Sequence, residues 1–494
     1  MSASLLPLVV AVPFLAAIVS MLARSVALSR LLLVSVPLAV IVGGVTLVAA
    51  TSDGDVVATQ VAGWVPGIAI PFAADTLSAL MLTVSGLLVL AGVVFAIAAG
   101  DDDDQWFAPM LLMMTAGVYG AYLTADLFNL FVMIEVALLP SYVLLARRGT
   151  PSALRATRLY LAVNLTASTI LLGGVGLVYA TAGTVNLAEL AGLATGAGAV
   201  AVATGVVVVA LAVKAALVPV HSWLPATYPA ATPAVTAIFS GLLTKIGVYG
   251  LIRVMTLVVV PGSAVRVVVI VVMLASMVIG VLGALGSPTM RGILTFHMVS
   301  QVGYILVGLV LAGTAGLTAV VFYLVHHTVV KTSLFLSVGA IEVRRGTGEI
   351  DKLGGEARLH RWVALAFFLA ALSLVGLPPL SGFWAKLLVL RSALADQQGW
   401  VFAVALLVSV GTLMSMLKLG NGVFWGERPD PSPDEVGKDP HPRHWAAALV
   451  APALVLAAAS LAVGIAPGWL LDLAETAAAG LASPEAYVEA VLSP

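Results

Sequence analysis

Apolar runs of about 20 residues recur along this 494-residue chain, and that repeat decides what solvent the chain folds in. A helix of that length spans the hydrocarbon of a bilayer, where each backbone N–H and C=O must find a partner within its own segment. Apolar residues make up 61% of the chain and charged residues 10%, against about 45–50% and 25% in ordinary soluble domains. Long runs, in place of ten-residue alternating ones, argue against a transmembrane β-barrel. The expected class is an all-α polytopic membrane protein. A net charge of −1 with no basic cluster leaves no nucleic-acid footprint. With no cysteine in the chain, disulfides, iron–sulfur ligation and thiol catalysis are excluded together.

Windows of about 19 residues predict fourteen spans, at 3–23, 30–50, 76–99, 107–124, 127–147, 155–180, 200–220, 233–256, 265–286, 291–313, 317–342, 361–391, 399–423 and 445–466. The start, Met-Ser-Ala-Ser-Leu-Leu-Pro, lacks a basic n-region and reads as the opening of the first span, not as a signal peptide. Span 361–391 is too long to be straight and contains Pro378 and Pro379, while 200–220 runs into Pro219 and Pro225. Both are expected to be broken at those prolines. Each break has a lysine beside it, Lys214 and Lys386, and the two lie five spans apart. An odd number of spans inverts a repeat, so spans 4–8 (107–256) and 9–13 (265–423) are expected to form two inverted five-helix units. Spans 1–3 (1–106) precede them within one membrane domain, and 424–494 adds a Pro-rich loop, span fourteen and a tail expected to be a short amphipathic helix packed on a neighbour.

Apart from five lysines deep in apolar segments, fifteen basic residues, among them Arg24, Arg147, Arg148, Arg344 and Arg345, fall toward one side, and only Arg253, Arg266 and Arg391 toward the other. The positive-inside rule then places both termini outside a bacterial-type plasma membrane. The aspartate run 101–104 reads as a solvated loop on the cytoplasmic side.

Five lysines lie within apolar segments: Lys214, Lys245, Lys331, Lys386 and Lys418. A charged lysine at a span centre costs about 2.5–3.5 kcal/mol, so four deep ones would cost roughly 10–14 kcal/mol if charged and facing lipid. Ionisable groups at such depth mark ion or proton paths. Glu135 is the one acid in the middle of an apolar run, and it could pair with Lys214 as a switch: approach favours retention of the lysine proton and separation favours release. Lys245 is flanked by Gly241, Gly247 and Gly250, which permit close helix approach. His327 and Lys331 share a helix face at i, i+4. His326 and His327 are adjacent, so they point different ways, and no carboxylate or cysteine lies within a turn; no metal site is expected. His297 and Tyr304 could serve the path or be satisfied core residues. His221, just past Pro219, could link the path to the cytoplasm. Lys418, near a span end, is expected to snorkel.

At these residues the chain resembles the antiporter-like subunits shared by respiratory complex I, membrane-bound hydrogenases and Mrp-type cation/proton antiporters. The resemblance rests on Glu135 to Pro140, Lys214 through Trp223-Leu224-Pro225, Leu242 to Lys245, Ser300-Gln301-Val302-Gly303-Tyr304, His327 with Lys331, and Pro378-Pro379 through Lys386. It covers about residues 107–430, and His221 to Val235 resembles the D-type Mrp subunits most. It implies a subunit of a hetero-oligomeric Na⁺(Li⁺)/H⁺ antiporter, with other membrane subunits as partners and no cofactor. Glu135 and Lys214 would switch, Lys245, His327 and Lys331 would relay, and Lys386 would serve the exit or a subunit contact. Family members often carry a histidine where this chain has Tyr323. Two other readings stay open: a proton-pumping subunit of a complex I-like oxidoreductase or membrane hydrogenase, and an assembly scaffold whose lysines are structural.

Overall fold

The structure, a computed structural model, describes residues 3–64, 69–196, 198–260, 263–311, 313–427 and 443–493. Its helices are α1 (Leu8–Ala23), α2 (Val26–Thr51), α3 (Thr76–Ala99), α4 (Phe107–Leu123), α5 (Leu127–Ala146), α6 (Pro151–Ala182), α7 (Ala199–Lys214), α8 (Trp223–Thr227), α9 (Pro233–Leu257), α10 (Ser263–Gly286), α11 (Met290–Val307), α12 (Gly313–Arg345), α13 (Glu356–Leu359), α14 (Arg361–Val375), α15 (Ser381–Ala395), α16 (Gly399–Leu419), α17 (Arg443–Ile465), α18 (Gly468–Ala482) and α19 (Glu485–Leu492). Eleven of the described helical segments are long and apolar enough to cross a bilayer, and α4, α7 and α14 are shorter apolar helices. Each of the fourteen expected spans has its helix, and the chain is a multi-pass membrane protein. The expected loop at 427–443 lies outside the described residues except at its ends.

Local chemistry sets many of the boundaries. Asp75, Asp126, Thr150, Thr232 and Thr289 each cap a helix by accepting the N–H three residues on, satisfying a donor that a helix start leaves free. Gly100, Gly183 and Gly376 end α3, α6 and α14 in the left-handed conformation.

The two expected breaks are present. Helix α7 ends at Lys214, and residues 215–222 form an irregular bend before α8. Helix α14 ends at Val375, and 376–380 link it to α15. Both bends carry a cis peptide bond, at Val218–Pro219 and Pro378–Pro379. Pro225 is a correction. It sits in the first turn of α8 and not in the bend, a position where its missing N–H leaves no intrahelical bond unmade.

Helices α9, α11 and α12 are buried on nearly every side, so their polar residues face protein and not lipid. Around them the same partnerships recur in each half. Contacts α4–α5, α5–α6, α6–α7, α7–α9 and α4–α9 are matched by α10–α11, α11–α12, α12–α14, α14–α16 and α10–α16.

The two membrane faces differ. On one, here the aspartate face, Arg147 pairs with Asp101 at 2.7 Å and Arg30 with Asp102 at 2.5 Å, while Arg291 meets Glu342 at 2.7 Å and Arg345 meets Glu356 at 2.6 Å. The run is therefore more than the expected solvated loop: Asp102 is buried, and burial holds the Asp101 carboxyl above its usual range although the Arg147 charge opposes that shift. On the other, the hairpin face, strands β1 (Val57–Gln60) and β2 (Pro71–Ala74) pair antiparallel, and β3 (Ala194–Thr195) pairs with β4 (Val259–Val260). The tail also departs from expectation. It forms two helices, and they pack on this chain itself: α18 lies against α12 and α3, and α19 against the hairpin. Apolar Leu470, Ala474, Ala478, Leu481, Tyr487 and Val491 supply the buried side, and Gln60 Nε2 donates to the Val491 carbonyl at 2.8 Å.

Candidate functional site

Glu135 and Lys214 meet. Lys214 Nζ lies 4.0 Å from Glu135 Oε1, and Ser168 stands between them. The lysine donates to Ser168 Oγ at 2.8 Å, and that hydroxyl donates to Glu135. The Asn164 carbonyl accepts a longer bond from Lys214, at 3.4 Å. Three helices assemble the cluster: α5 brings the acid, α6 the hydroxyl, and the last residue of α7 the amine. Close approach of α9 to the bend depends on Gly247, where a β-carbon would lie 2.7 Å from the Ala215 nitrogen. Lys214 is 5% exposed but the Glu135 side chain 21%, so the acid sits at the rim of the protein and the amine within it.

Lys245 and Lys331 are fully buried. Lys245 donates to the Ser240 carbonyl at 2.9 Å and to Thr244 Oγ1 at 3.4 Å. Lys331 donates to the Leu294 carbonyl at 2.9 Å and has the Phe335 ring 5.9 Å away. An ammonium carries three donors, and Lys331 has one strong acceptor among the described residues. His327 lies close enough to both amines to feel their charge, and neither of its ring nitrogens has a hydrogen-bond partner among the described residues. Adding a proton to any one of the three opposes charge on its neighbours. His326 points elsewhere, its Nδ1 2.7 Å from Ser381 Oγ. The two histidines diverge as expected for adjacent helical residues.

Lys386 occupies the second half of the other broken span. Its Nζ donates to the Val375 carbonyl at 2.8 Å, a group freed where α14 stops, and to Ser409 Oγ at 3.0 Å; the Tyr304 ring is 5.1 Å away. Gly376, at φ +96°, leaves room for this reach: a β-carbon there would lie 2.8 Å from Lys386 Cδ. Tyr304 donates to the Ala405 carbonyl and also meets Ser409 Oγ at 3.0 Å. His297 is fully buried with Nε2 2.6 Å from Ser415 Oγ, and it feels the charge of both Lys331 and Lys386. Tyr323, where relatives often have histidine, is tied down: its hydroxyl donates to Gln301 Oε1 at 2.6 Å, and its ring stacks on Tyr304.

Two expectations change in detail. Lys418 does not reach toward solvent; its Nζ donates to the Leu285 and Ser287 carbonyls at 2.8 and 2.7 Å, holding the end of α10. His221 lies in the α7–α8 bend, half-buried, and among the described residues its Nδ1 has no hydrogen-bond partner and no hydrogen bond or ion pair ties it to Lys214. The sequence reading missed Ser168, Asn164, Ser409 and Ser415. It also missed the hydroxyl cluster of Ser373, Ser381 and Ser460, in which Ser460 lies 2.8 Å from each of the others.

Two broken spans with buried amines between them define a polytopic membrane subunit that carries ionisable groups at membrane depth. The family profile described as NADH:quinone oxidoreductase/Mrp antiporter, transmembrane, matches residues 124–415, and the chain belongs to that family. It is 34% identical over 443 residues to the D-type subunit of a Na(+)/H(+) antiporter from Alkalihalophilus pseudofirmus, covering 88% of each chain. With a Bacillus subtilis protein of the same description it shares 32% identity over 437 residues, covering 87% of each. Among solved structures, a chain of the Mrp complex from Dietzia sp. DQ12-45-1b superposes with a TM-score of 0.94 at 46% identity, over 99% of both chains. A chain of respiratory complex I from Thermus thermophilus superposes with a TM-score of 0.82 at 25% identity, over 97% of this chain and 100% of that one.

Proposed function

We propose that this chain is the D-type subunit of a multi-subunit Na⁺(Li⁺)/H⁺ antiporter, a transporter subunit and not an enzyme, and that it moves protons along its buried amines. The carrying observation is the Glu135–Ser168–Lys214 cluster at the head of the series Lys245, His327, Lys331 and Lys386. Glu135 and Lys214 act as the switch: while they are close the lysine keeps its proton, and when they separate it passes the proton inward. His327 bridges Lys245 and Lys331, and His297 links Lys331 toward Lys386, the exit-side group. Tyr323 supports Tyr304 through its ring and takes no proton itself. The matched helix partnerships and the two bends support reading 107–256 and 265–423 as inverted repeats. The excess of basic residues on the aspartate face supports placing it in the cytoplasm and the hairpin face outside; a reporter fused after Pro494 that is active only outside the cytoplasm checks this.

The test uses everted membrane vesicles carrying the whole complex, with sodium-driven change in internal pH as the readout. Glu135→Ala and Lys214→Ala should each abolish exchange while the complex stays at native abundance. Native-rate exchange in either variant would sink the switch. Loss of complex abundance in place of transport would support the scaffold reading. The complex I-like alternative is distinguished by which subunits co-purify: small multi-span antiporter subunits, or flavin and iron–sulfur proteins.

A further inference from the structure

His326 is a buried titratable group that the path proposed above leaves unused. Where His327 feels the charge of Lys245 and Lys331, His326 turns instead to the start of α15. That helix has a weak beginning: its N-cap residue is Leu380, whose side chain accepts nothing. The Gly382 N–H, in the first turn, donates to Ser373 Oγ at 3.2 Å, and Ser373 lies in the last turn of α14. A hydroxyl from one half of the broken span thus satisfies a donor that the start of the other half leaves free. From Ser373 the contacts continue. Ser373 Oγ lies 2.8 Å from Ser460 Oγ of α17, Ser460 lies 2.8 Å from Ser381 Oγ of α15, and Ser381 lies 2.7 Å from His326 Nδ1.

Counting hydrogens gives this network a direction. All four side chains are buried, and among the described residues no carbonyl accepts from any of the three hydroxyls. Each hydroxyl has a single hydrogen to place. Ser373 and Ser381 are 3.3 Å apart, beyond the roughly 2.5–3.0 Å of a good O–H···O bond, so the three do not close a ring. One order remains: Gly382 N–H to Ser373, Ser373 to Ser460, Ser460 to Ser381, and Ser381 to His326 Nδ1. The imidazole is the end acceptor, and its own proton sits on Nε2. A proton on Nδ1 would reverse the order and leave the Ser373 hydrogen facing only the 3.3 Å side. Such a group is built to hold a position.

What it holds is the seat of Lys386. That residue follows Ser381 by five positions on α15, and its Nζ donates to the Val375 carbonyl at the end of α14. Helix α15 therefore meets α14 twice, through Gly382 and through Lys386. The approach is close: a β-carbon on Gly382 would collide with the Ser373 carbonyl, and one on Gly464 of α17 with the Pro379 carbonyl. Trp384 Nε1 adds a bond to the Gly464 carbonyl at 2.9 Å. We propose that His326 is a positioning residue: it ends the hydroxyl chain that seats α15 on α14 and α17, and so keeps the Lys386 amine at the Val375 carbonyl. This rests on the path role given to Lys386 above, and it leaves His326 no proton to carry.

The test measures sodium-driven exchange, as a function of pH, in vesicles carrying the whole complex at native abundance. Asparagine sets an amide oxygen where Nδ1 stands, and glutamine reaches to where Nε2 stands; both accept hydrogen bonds and neither takes up a proton. His326→Asn should keep most of the native rate with an unchanged pH profile, whereas His326→Gln should be several-fold slower. Equal rates in the two variants overturn the assignment, and loss in both makes His326 a proton carrier. Ser460→Ala cuts the same chain at a residue with no hydrogen bond to His326 or Lys386. It should also be several-fold slower, and combined with His326→Gln it should be no slower than the worse single variant, since both interrupt one chain. Losses that multiply overturn the chain. If His326→Gln does not accumulate, Ser381→Ala takes its place in that comparison. Lys386→Ala is recorded in the same vesicles. Exchange at the native rate there removes the path reading itself. Abolished exchange there, with His326→Gln and Ser460→Ala both native, removes the positioning role alone.

Discussion

Lys214 ends the first half of one broken span, whereas Lys386 lies inside the second half of the other, and their company differs more than their position. Lys214 has a carboxylate within 4.0 Å, joined to it through a serine hydroxyl. Lys386 has the Val375 carbonyl, a serine and the Tyr304 ring, and no acid pairs with it among the described residues. A charge pair can open and close as its partners move. An amine solvated by a broken helix can only gain or lose its proton in place. The proposed path thus gives the same residue, beside the same kind of bend, two tasks: one senses a neighbouring charge and the other hands a proton on.

The largest expected effect breaks the comparison at Lys386. Arginine stays protonated at any relevant pH, so Lys386→Arg should abolish sodium-driven exchange at native complex abundance. Native-rate exchange would mean that Lys386 is a structural charge and that the path lacks its far end. Next comes the bridging hydroxyl. Ser168→Ala removes one charge-assisted bond on each side, and a loss of about 1.4 kcal/mol at the switch would slow exchange roughly tenfold. An unchanged rate would show that Glu135 and Lys214 communicate without it. Glu135→Asp sharpens the same point, because the charge survives and the reach shortens. Its rate should fall between those of native and Glu135→Ala; a rate equal to Glu135→Ala would make contact distance, and not charge, the requirement. The smallest effect belongs to Ser409→Ala. The Val375 carbonyl and the Tyr304 ring remain, so about 0.5–1 kcal/mol, or roughly two- to fivefold, should be lost. A deficit larger than that of Ser168→Ala would reverse the assignment of the two lysines.

Much of this is legible in the sequence because bilayers punish exceptions. A lysine or glutamate in an apolar run stands out, and a proline beside it signals a bend. Serines do not stand out. Ser337, Thr328 and Thr332 bond back to carbonyls of their own helices, as such residues commonly do, and nothing in sequence separates them from Ser168 or Ser409, which serve a neighbouring helix. Pro225 reads as a bend residue because proline forbids only the helix interior, and a new helix happens to start just before it. Arg253 reads as a loop charge because its partner, Asp75, lies 178 residues away; its i, i+4 spacing from Tyr249 is the available signal. Burial raises the Asp75 carboxyl, but the Arg253 charge and the hydrogen bonds from Arg253 and Ser78 outweigh it and hold the group below its ordinary range, a balance that one-dimensional spacing cannot express. The tail reads as a helix packed on a neighbour, since its apolar face is visible in sequence but not the hairpin that receives it.

The bond from Gln60 to the Val491 carbonyl closes a loop of 431 residues, and so sets an order of events during biogenesis. At synthesis rates of about 5–20 residues per second, the hairpin waits roughly 20–90 seconds for the helix that seats on it. Through that interval the spans inserted first hold an unlatched edge, and the membrane domain becomes one closed body only when its latest helix arrives. A chain stopped before Glu485 should stay in the early state, with the segment between β1 and β2 cut faster by protease than in the full-length protein.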